Sequence, residues 1–538
     1  MVVVNSTTLA CGFYSFGANP MVLKEDRRYH GLWMEKDNGN SDKERYRKLR
    51  QLNWGRLWEE EVPRFDMATP GERAANVALI RAVGVVFAEN GKASQNAAVR
   101  RWLRALLDDP HEKIRRYAMA ALPKVGAGRE EEKDLLTLLQ KTGNDREKKF
   151  LTDALDKIAG EQTLAVEGGI PPQTEQKALA SVARAQNPGV IQKHQLLHDF
   201  RGLKIHFRTR RGLEPFVVEE VQANPKLRVI EQTGGLVIAE PTGPFTVSDL
   251  YTARCFGTVG LAPSGEAATL EESARIMTSP ATLQMLRAFT KGTIRYRIDF
   301  VSKGHQRGAI KQLANLVFAQ CPEILNDPRE AIWSVDIHST KRGDLLELRP
   351  RLKPDPRFDY RVKDIPAASH PPLAACMARL ADLQNDETVW DPFCGAGAEL
   401  IECALLGRVK KLHGTDLSGE ALVAAKTNLA AAGVDPLIAE FVRCDFRDYK
   451  KHTNIRHGSV SLMISNPPLG MRIPIPNLRE LLIDLFETAA VVLKPGGRLV
   501  FINPIKSPTL SHPALRRDYH RAVDMSGFDC GLEKFVKL

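Results

Sequence analysis

The chain has 538 residues, which is too long for one ordinary core and predicts several domains. A hydrophobic fraction of 43% and a charged fraction of 26% are typical of globular proteins and exclude a wholly disordered chain. No apolar run is long enough to cross a bilayer, and the 8 cysteines form no CxxC pair. We therefore expect a cytoplasmic protein with reduced thiols, no metal site and no membrane contact. The net charge of +11 favours a polyanionic partner.

The first part of the chain is predicted to be helical. Residues 1–70 have no clear period and are assigned to an N-terminal extension. Residues 71–160 carry apolar side chains at helical spacing, and the pattern around Tyr117 returns in weaker form about 33 residues later, around Phe150. The repeat resembles HEAT-like helical repeats, which implies an all-α scaffold that docks a protein partner. An unrelated small helical bundle is the alternative.

Irregular chain and two mixed units are predicted next. The composition at 161–192 turns to glycine, proline, glutamine and alanine, and a Gly-Gly-Ile-Pro-Pro sequence breaks any helix, so a linker is placed there. At 193–290 and again at 291–352, an alternating apolar run is followed by apolar residues at helical spacing and by another alternating run. This order predicts two compact α+β units.

Residues 353–538 alternate short apolar strands with helices, which predicts an open α/β sheet of Rossmann-like type. Ligands of such sheets bind at the C-terminal ends of the strands. The first strand ends in Asp-Pro-Phe-Cys-Gly-Ala-Gly, residues 391–397, whose glycines permit a tight turn against a ligand at a helix start. A dinucleotide fingerprint would need a third glycine where Leu400 stands, so a different cofactor is expected.

Two more strands end in acidic residues. Asp416 is suited to the two hydroxyls of a ribose, and Asp445 with Phe446 is suited to the amine edge and the face of an adenine. Each acid alone is explained as a turn or helix cap, but three in series favour a nucleoside-containing cofactor. The predicted cofactor site comprises Asp391, Phe393, Gly395, Gly397, Asp416, Leu417, Asp445 and Phe446.

The fourth strand ends in Ser-Asn-Pro-Pro-Leu, residues 465–469, and carries the predicted catalytic residues. The lone pair of a base amine is delocalised into the ring, which makes that amine a poor nucleophile. The amide oxygen of Asn466 and a backbone carbonyl held by Pro467 and Pro468 accept both N–H groups, leaving the lone pair aimed at a sulfonium methyl. The predicted catalytic set is Asn466, Pro467, Pro468 and Leu469. A proline-stiffened loop that only closes a pocket is the alternative.

These two motifs resemble those of the class I amino-methyltransferases and, more narrowly, of the THUMP-domain RNA guanine-N2 methyltransferases, over about residues 195–505. The resemblance implies a ferredoxin-like unit, a THUMP-like RNA-binding unit and a class I methyltransferase domain that binds S-adenosyl-L-methionine. It also implies methylation of guanine N2 in structured RNA, either tRNA or rRNA. Leu469 stands where the family carries an aromatic residue that stacks on the flipped base, and losing that stack costs on the order of 1 to 3 kcal/mol.

Basic clusters in the two α+β units are the predicted RNA contacts, because lysine and arginine neutralise phosphates. The predicted contacts are Lys204, Arg208, Arg210, Arg211, Arg295 and Arg297. The chain is expected to be a monomer. Two alternatives stay open: the same chemistry on adenine N6 or on a protein glutamine, and a non-catalytic RNA-binding or assembly factor.

Overall fold

The computed structural model describes residues 41–538 apart from 92, 167, 302, 305, 367, 408, 470–476 and 506–509. Most of the predicted extension 1–70 therefore lies outside the described residues. The chain divides into two compact units at the boundary between Gln186 and Asn187. Among the described helices, none is both long enough and apolar enough to span a membrane.

The first unit is built from helices. Its α-helices are α1 Ser41–Arg50, α2 Trp54–Arg56, α3 Val62–Met67, α4 Pro70–Ala75, α5 Ala78–Asn90, α6 Asn96–Ala105, α7 Glu112–Ala121, α8 Arg129–Lys141, α9 Asp145–Ile158, α10 Glu161–Leu164 and α11 Pro172–Gln186. Helix α5 contacts α1 and α7, and α9 contacts α7 and α11, so these five helices form one layer. Helix α8 is not part of this layer and contacts α9 and α10.

Ion pairs at a repeated spacing connect alternate helices of this unit, α6 with α8 and α7 with α9. Arg100 Nε donates to Glu131 Oε1 at 2.8 Å, and Arg115 Nε donates to Glu147 Oε1 at 2.6 Å. The partners are 31 and 32 residues apart. Both carboxylates are buried in the first turns of their helices, where the helix dipole also favours a negative charge. The unit therefore has a structural period that matches the sequence repeat, while its HEAT-like character stays a prediction.

The predicted linker at 161–192 contains helices instead of irregular chain. Pro172 occupies the first position of α11, where a missing N–H does no harm, and the alanines, glutamines and lysine that follow are good helix formers. Thr174 Oγ1 donates to Asp156 Oδ1 of α9 at 2.7 Å, and Lys177 pairs with the same carboxylate. The Gly-Gly-Ile-Pro-Pro sequence thus ends one helix and starts another.

The second unit begins with a mixed region. Its strands are β1 Val190–Ile191, β2 Lys204–Arg208, β3 Leu227–Thr233, β4 Leu236–Pro241, β5 Thr258–Ala262, β6 Thr290–Lys291, β7 Ile294–Phe300, β8 Ile324–Asn326, β9 Trp333–Ser339 and β10 Asp344–Pro350. Its helices are α12 Glu214–Gln222, α13 Val247–Leu250, α14 Leu270–Met277, α15 Pro280–Ala288 and α16 Arg307–Gln320. Strands β1 and β6 pair with each other.

The two predicted α+β units share one continuous sheet, which corrects the expectation of two separate units. Its eight strands run in the order β3-β4-β2-β5-β10-β9-β7-β8 in the described residues, and β5 pairs with β10 through Leu261 and Leu348. A buried carboxylate strengthens the junction, because Glu347 of β10 receives His206 Nδ1 at 2.7 Å and Arg208 Nε at 2.8 Å from β2. The sheet is therefore joined by packing and by charge.

The C-terminal part forms a seven-stranded sheet with helices on it. Its strands are β11 Glu387–Asp391, β12 Val409–Asp416, β13 Ala439–Arg443, β14 Val460–Ser465, β15 Leu493–Asn503, β16 Leu515–Asp524 and β17 Asp529–Lys537. Its helices are α17 Pro371–Leu380, α18 Ala398–Leu406, α19 Gly419–Ala431, α20 Tyr449–His452 and α21 Leu478–Val492.

The strand order is β13-β12-β11-β14-β15-β17-β16, with β11 to β15 parallel and β17 antiparallel to its neighbours. Every residue of the central strand β14 is buried, as expected for a parallel strand covered on both faces. This topology confirms the predicted class I methyltransferase-like fold, and it brings the ends of β11 to β14 to one edge of the sheet.

Candidate active site

A cavity of about 890 Å³ opens at the C-terminal ends of β11 to β14. All four residues of the Asn-Pro-Pro-Leu sequence line it. Six residues of the predicted cofactor site also line the cavity: Phe393, Gly395, Asp416, Leu417, Asp445 and Phe446. The structure thus brings together strand-end residues that are far apart in the chain.

Two predicted cofactor residues, Asp391 and Gly397, are not among the residues that line the cavity. Asp391 is fully buried and accepts hydrogen bonds from Ser465 Oγ at 2.7 Å and from the Phe393 N–H at 3.0 Å. Burial raises the pKa of Asp391 well above its usual range. Asp391 therefore ties the ends of β11 and β14 together from behind the cavity wall.

Gly397 shapes the start of α18. Its φ of 83° lies in the left-handed region, and an added Cβ would lie 3.1 Å from the Cβ of Ala425 in α19. A side chain at this position would force the two helices apart, so the glycine serves close packing of the loop. Gly395, with φ of 50°, lies on the cavity and donates its N–H to Asp416 Oδ2 at 2.9 Å.

The carboxylate of Asp416 is held between two loops at the cavity wall. Its Oδ1 also accepts the N–H of Ser418 at 2.8 Å, and each oxygen keeps acceptor capacity for a ligand hydroxyl. Leu417 beside it is 65% exposed although it is a large apolar residue. An apolar surface next to an oriented carboxylate is suited to a nucleoside, whose base covers the leucine and whose ribose meets the acid.

Two aromatic rings form another part of the wall. Phe393 and Phe446 have ring centroids 5.0 Å apart. Asp445 accepts Arg447 Nε at 2.9 Å and Arg447 Nη2 at 2.6 Å, and these hydrogen bonds lower the pKa of Asp445. Asp445 is therefore ionised at the cavity but shares its oxygens with an arginine that the sequence analysis did not identify.

The amide of Asn466 has a defined orientation. Its Nδ2 donates to Ser369 Oγ at 2.9 Å. Its Oδ1 is buried and has no hydrogen-bond partner among the described residues. Ser369 also lies near the carboxyl group of Glu399 and favours its ionised form, against the burial that raises the pKa of Glu399. An ionised Glu399 would accept a hydrogen bond from the Ser369 hydroxyl. Ser369 Oγ would then be left to accept the hydrogen bond from the Asn466 amide.

Sequence reasoning missed Ser369 and Glu399, which both line the cavity. Ser369 lies just before α17, and Arg361 Nη1 donates to its backbone oxygen at 3.2 Å. Glu399 is a buried acid on the otherwise apolar first turn of α18, directly after the glycine loop. An acidic residue within an apolar helix pattern could have identified Glu399 as a site residue, because a buried carboxylate requires a partner.

His370 also lines the cavity and is neutral at physiological pH. Desolvation in the cavity, together with the nearby cations Arg210 and Arg361, lowers the pKa of His370 to about 4. A neutral imidazole next to these cations adds no positive charge where a cationic cofactor would bind.

A hairpin formed by β16 and β17 reaches the cavity from the other side. Arg210 Nη1 donates to Asp524 O at 3.2 Å and to Ser526 Oγ at 3.0 Å. Arg211 Nη2 pairs with Asp529 Oδ1 at 2.8 Å. These contacts hold the hairpin turn, which contributes Met525, Ser526 and Phe528 to the cavity wall. The two arginines predicted as RNA contacts are thus used to clamp the hairpin.

The other predicted RNA contacts differ in their surroundings. Lys204 is exposed. Arg208 binds Glu347 through two nitrogens, and Arg297 Nη2 pairs with Asp299 Oδ1 at 2.7 Å. Arg295 is 4% exposed and donates to Asn187 O at 3.0 Å, so its burial contradicts a phosphate contact. The clusters of basic residues in the sequence therefore predicted more unpaired positive charge in residues 193–352 than the structure has.

Residues 358–518 match the model of the UPF0020 family, described as an RMKL-like methyltransferase domain. The chain is 31% identical over 204 residues to the tRNA (guanine(6)-N2)-methyltransferase of Archaeoglobus fulgidus, covering 33% of this chain and 47% of that protein. It is 30% identical over 142 residues to the tRNA (guanine(10)-N2)-dimethyltransferase of Methanocaldococcus jannaschii, covering 26% and 39%. The chain thus spans less than half the length of these curated relatives.

A mouse relative and a solved structure extend the comparison. The chain is 28% identical over 159 residues to the mouse U6 snRNA (guanine-N(2))-methyltransferase THUMPD2, covering 30% of this chain and 26% of that protein. The crystal structure of TrmN from Thermus thermophilus aligns with a TM-score of 0.49 and 19% identity, covering 62% of this chain and all of that one.

Proposed function

We propose that this chain, whose residues 358–518 match the model of the UPF0020 RMKL-like methyltransferase domain family, methylates guanine N2 in structured RNA. S-adenosyl-L-methionine is the methyl donor, and tRNA or rRNA is the substrate. The observation that carries this proposal is the Asn466 amide, whose oxygen is buried at the cavity without a partner while its nitrogen is held by Ser369. An unpaired buried acceptor is unfavourable unless a ligand donor satisfies it.

The cavity suits the cofactor in its donor set and in its shape. Asp416 would take the ribose hydroxyls, and Leu417 with Phe446 would cover the faces of the adenine. Asp445 would approach the adenine amine edge beside Arg447. When bound, S-adenosylmethionine supplies an electrophilic methyl group on a positively charged sulfur.

The residues of this chain prepare the acceptor amine. Asn466 Oδ1 and a backbone carbonyl of the loop held by Pro467 and Pro468 accept the two N–H groups of guanine N2. Two hydrogen bonds from the N–H groups to these oxygens draw the lone pair back onto nitrogen and direct it out of the ring plane. Positioning of this kind lowers the barrier without a strong base, because a correctly oriented attack removes most of its entropic penalty.

Apolar residues would hold the guanine ring. Leu469 packs against the main apolar core, as do Met525 and Phe528 of the hairpin, and all three line the cavity. A leucine contributes apolar contact but no π stacking, so the base is held more weakly than by an aromatic residue at the same position. Phe528 still brings an aromatic ring to the cavity from the hairpin.

Finer assignments form part of the same proposal. The order β2, α12, β3, β4, α13, β5 is the βαββαβ order of a ferredoxin-like unit, which supports that assignment for 193–290. The THUMP-like role of 291–352 and the HEAT-like role of 71–160 rest on the sequence resemblance. We also assign the protein to the cytoplasm as a monomer. Fractionation of cells with a tagged full-length chain and light scattering of the purified protein test these last two points.

A non-catalytic RNA-binding factor is the second candidate, and Leu469 is the observation that favours it. Such a factor would keep the fold while binding RNA without modifying it. The same loop would also serve adenine N6 or a protein glutamine, because each presents a planar amine. The basic character of the chain favours RNA over a protein acceptor.

Nucleoside mass spectrometry tests the proposed reaction. RNA from cells lacking the gene is treated with purified full-length protein and labelled cofactor, using wild type and Asn466→Ala. We expect labelled N2-methylguanosine with the wild type and a rate lowered by about 100-fold or more with the variant, because a lost transition-state hydrogen bond in a buried site has this magnitude. Label in N6-methyladenosine would change the acceptor, and no label in any nucleoside would favour the binding factor.

A further inference from the structure

The helical unit carries a groove of about 350 Å³ that the proposed reaction does not use. We name it the basic groove and define it by Arg81, Lys113, Arg116, Tyr117, Lys124 and Phe150. These residues come from α5, α7, the turn after α7, and α9, which contact one another in one layer. The groove therefore crosses successive helices of the layer and is not a feature of a single helix.

The basic groove holds more positive than negative charge. Lys113 Nζ lies 3.6 Å from Asp42 Oδ2, and Arg116 Nε lies 3.2 Å from Glu112 Oε1. Within the described part of the chain, Arg81 and Lys124 have no carboxylate within 4.0 Å. Two cations are thus left without a counter-charge, whereas arginines on neighbouring helices of the same unit, such as Arg100, bind carboxylates directly.

The uncompensated cations influence each other. Burial lowers the pKa of Lys124, and the nearby cations Arg81 and Lys157 lower it in the same direction. An anion placed in the groove would relieve this repulsion and favour the charged lysine. The groove is therefore better suited to a bound anion than to solvent alone.

Aromatic rings lie among the cations. The side chains of Tyr117 and Phe150 are half-buried in the groove. The Arg116 guanidinium lies 5.4 Å from the centroid of the Phe150 ring, and that of Arg81 lies 4.1 Å from the centroid of Tyr46. Nucleotides combine a phosphate with a flat base, and proteins that bind single strands combine cations with aromatic rings in the same way. An acidic peptide would match the charge but would leave the rings without a stacking partner.

We infer that the basic groove binds a phosphodiester segment of the RNA substrate, with Arg81 and Lys124 on its phosphates and Tyr117 or Phe150 on a base. The identity of the polyanion as the RNA substrate rests on the proposed function. The groove adds positive charge to that of the mixed region, where Arg208, Arg211 and Arg297 are engaged in ion pairs. It would act as a second RNA contact that raises affinity without touching the reacting base.

RNA binding by the full-length protein tests this inference. Fluorescence anisotropy with labelled bulk tRNA, from 50 to 300 mM salt, is run on the wild type and on a variant with Arg81→Gln and Lys124→Gln. The control carries Lys133→Gln and Lys141→Gln, two exposed lysines of α8 outside the groove. Removing two phosphate contacts should weaken binding by roughly tenfold and reduce the slope of log K against log salt by about 2, while the control changes neither.

The outcomes separate this inference from the proposed function, because binding is measured without cofactor. Equal affinities and slopes for the wild type and the groove variant would overturn the groove assignment even if the wild type methylates RNA. A polyglutamate peptide that binds the wild type but not the groove variant, while tRNA binds both proteins equally well, would overturn the choice of RNA. An Asn466→Ala protein that binds tRNA normally while the groove variant binds it weakly would support the inference whatever the methylation result.

Discussion

Replacing Ser369 by alanine is expected to slow methyl transfer while leaving binding of both substrates almost unchanged. Ser369 Oγ accepts Asn466 Nδ2 at 2.9 Å and fixes the amide with its oxygen at the cavity. Without the hydroxyl, the amide rotates more freely and presents its NH₂ group to the guanine amine in part of the population. Ser369 is therefore a positioning residue that acts through Asn466.

The magnitude follows from one neutral hydrogen bond, which contributes about 0.5 to 1.5 kcal/mol. Because about 1.36 kcal/mol corresponds to a tenfold change in rate, kcat should fall by about 2- to 13-fold in Ser369→Ala. Asn466→Ala removes the acceptor itself, and the kcat of this variant should fall by about 100-fold or more. Ser369→Thr keeps a hydroxyl at the same place and should retain most of the wild-type rate.

Single-turnover transfer of labelled methyl groups to tRNA, with enzyme in excess, measures the chemical step directly. Dissociation constants for tRNA and cofactor are measured in parallel, and thermal melting checks that each variant is folded. A Ser369→Ala protein with wild-type kcat, or one whose loss lies in KM alone, would refute the orienting role. A Ser369→Thr protein as slow as Ser369→Ala would do the same, because the rescue depends on the hydroxyl.

Three further outcomes are expected. The pKa of Glu399 is raised by burial, so the rate should fall in acid as Glu399 becomes protonated and Ser369 no longer orients Asn466; the pH profile of Glu399→Gln should lack this limb. Leu469→Phe should raise kcat/KM for RNA by about tenfold, because a stacked base contributes about 1 to 3 kcal/mol, and steady-state kinetics measure it. Glu347→Gln should lower the free energy of unfolding at pH 7 by about 3 to 5 kcal/mol, because it leaves two histidines and an arginine without their carboxylate.

The pH dependence of the last variant has a definite sign. Burial alone would raise the pKa of Glu347, but hydrogen bonds from His206, His338 and Arg208 outweigh it and hold that pKa well below its usual value of 4.5. The stabilisation by the ionised carboxylate is therefore complete above pH 4.5 and declines as the pH falls further. Urea unfolding at pH 7 and pH 3.5 should show a smaller difference between variant and wild type in acid. An unchanged difference would mean that Glu347 acts through packing alone.

The sequence by itself determined the open sheet of the C-terminal part and the residues at its strand ends. Alternating strands and helices predicted an open sheet, and in such a sheet the residues after parallel strands meet at one edge. Asp416, Asp445 and Asn466 therefore reached one cavity as predicted. Short-range signals were sufficient here, because strand ends and glycine turns depend on local backbone chemistry.

Only the tertiary structure decided which charges are free and which side chains orient the site. Ser369 meets Asn466 across 97 residues, Arg208 meets Glu347 across 139, and Arg210 meets the hairpin at Asp524 across 314. A run of arginines has the same local pattern whether its members face solvent or carboxylates on another strand. The exposure of a charged side chain depends on what packs against it. Contacts with residues distant in the sequence therefore decided which of these arginines are paired.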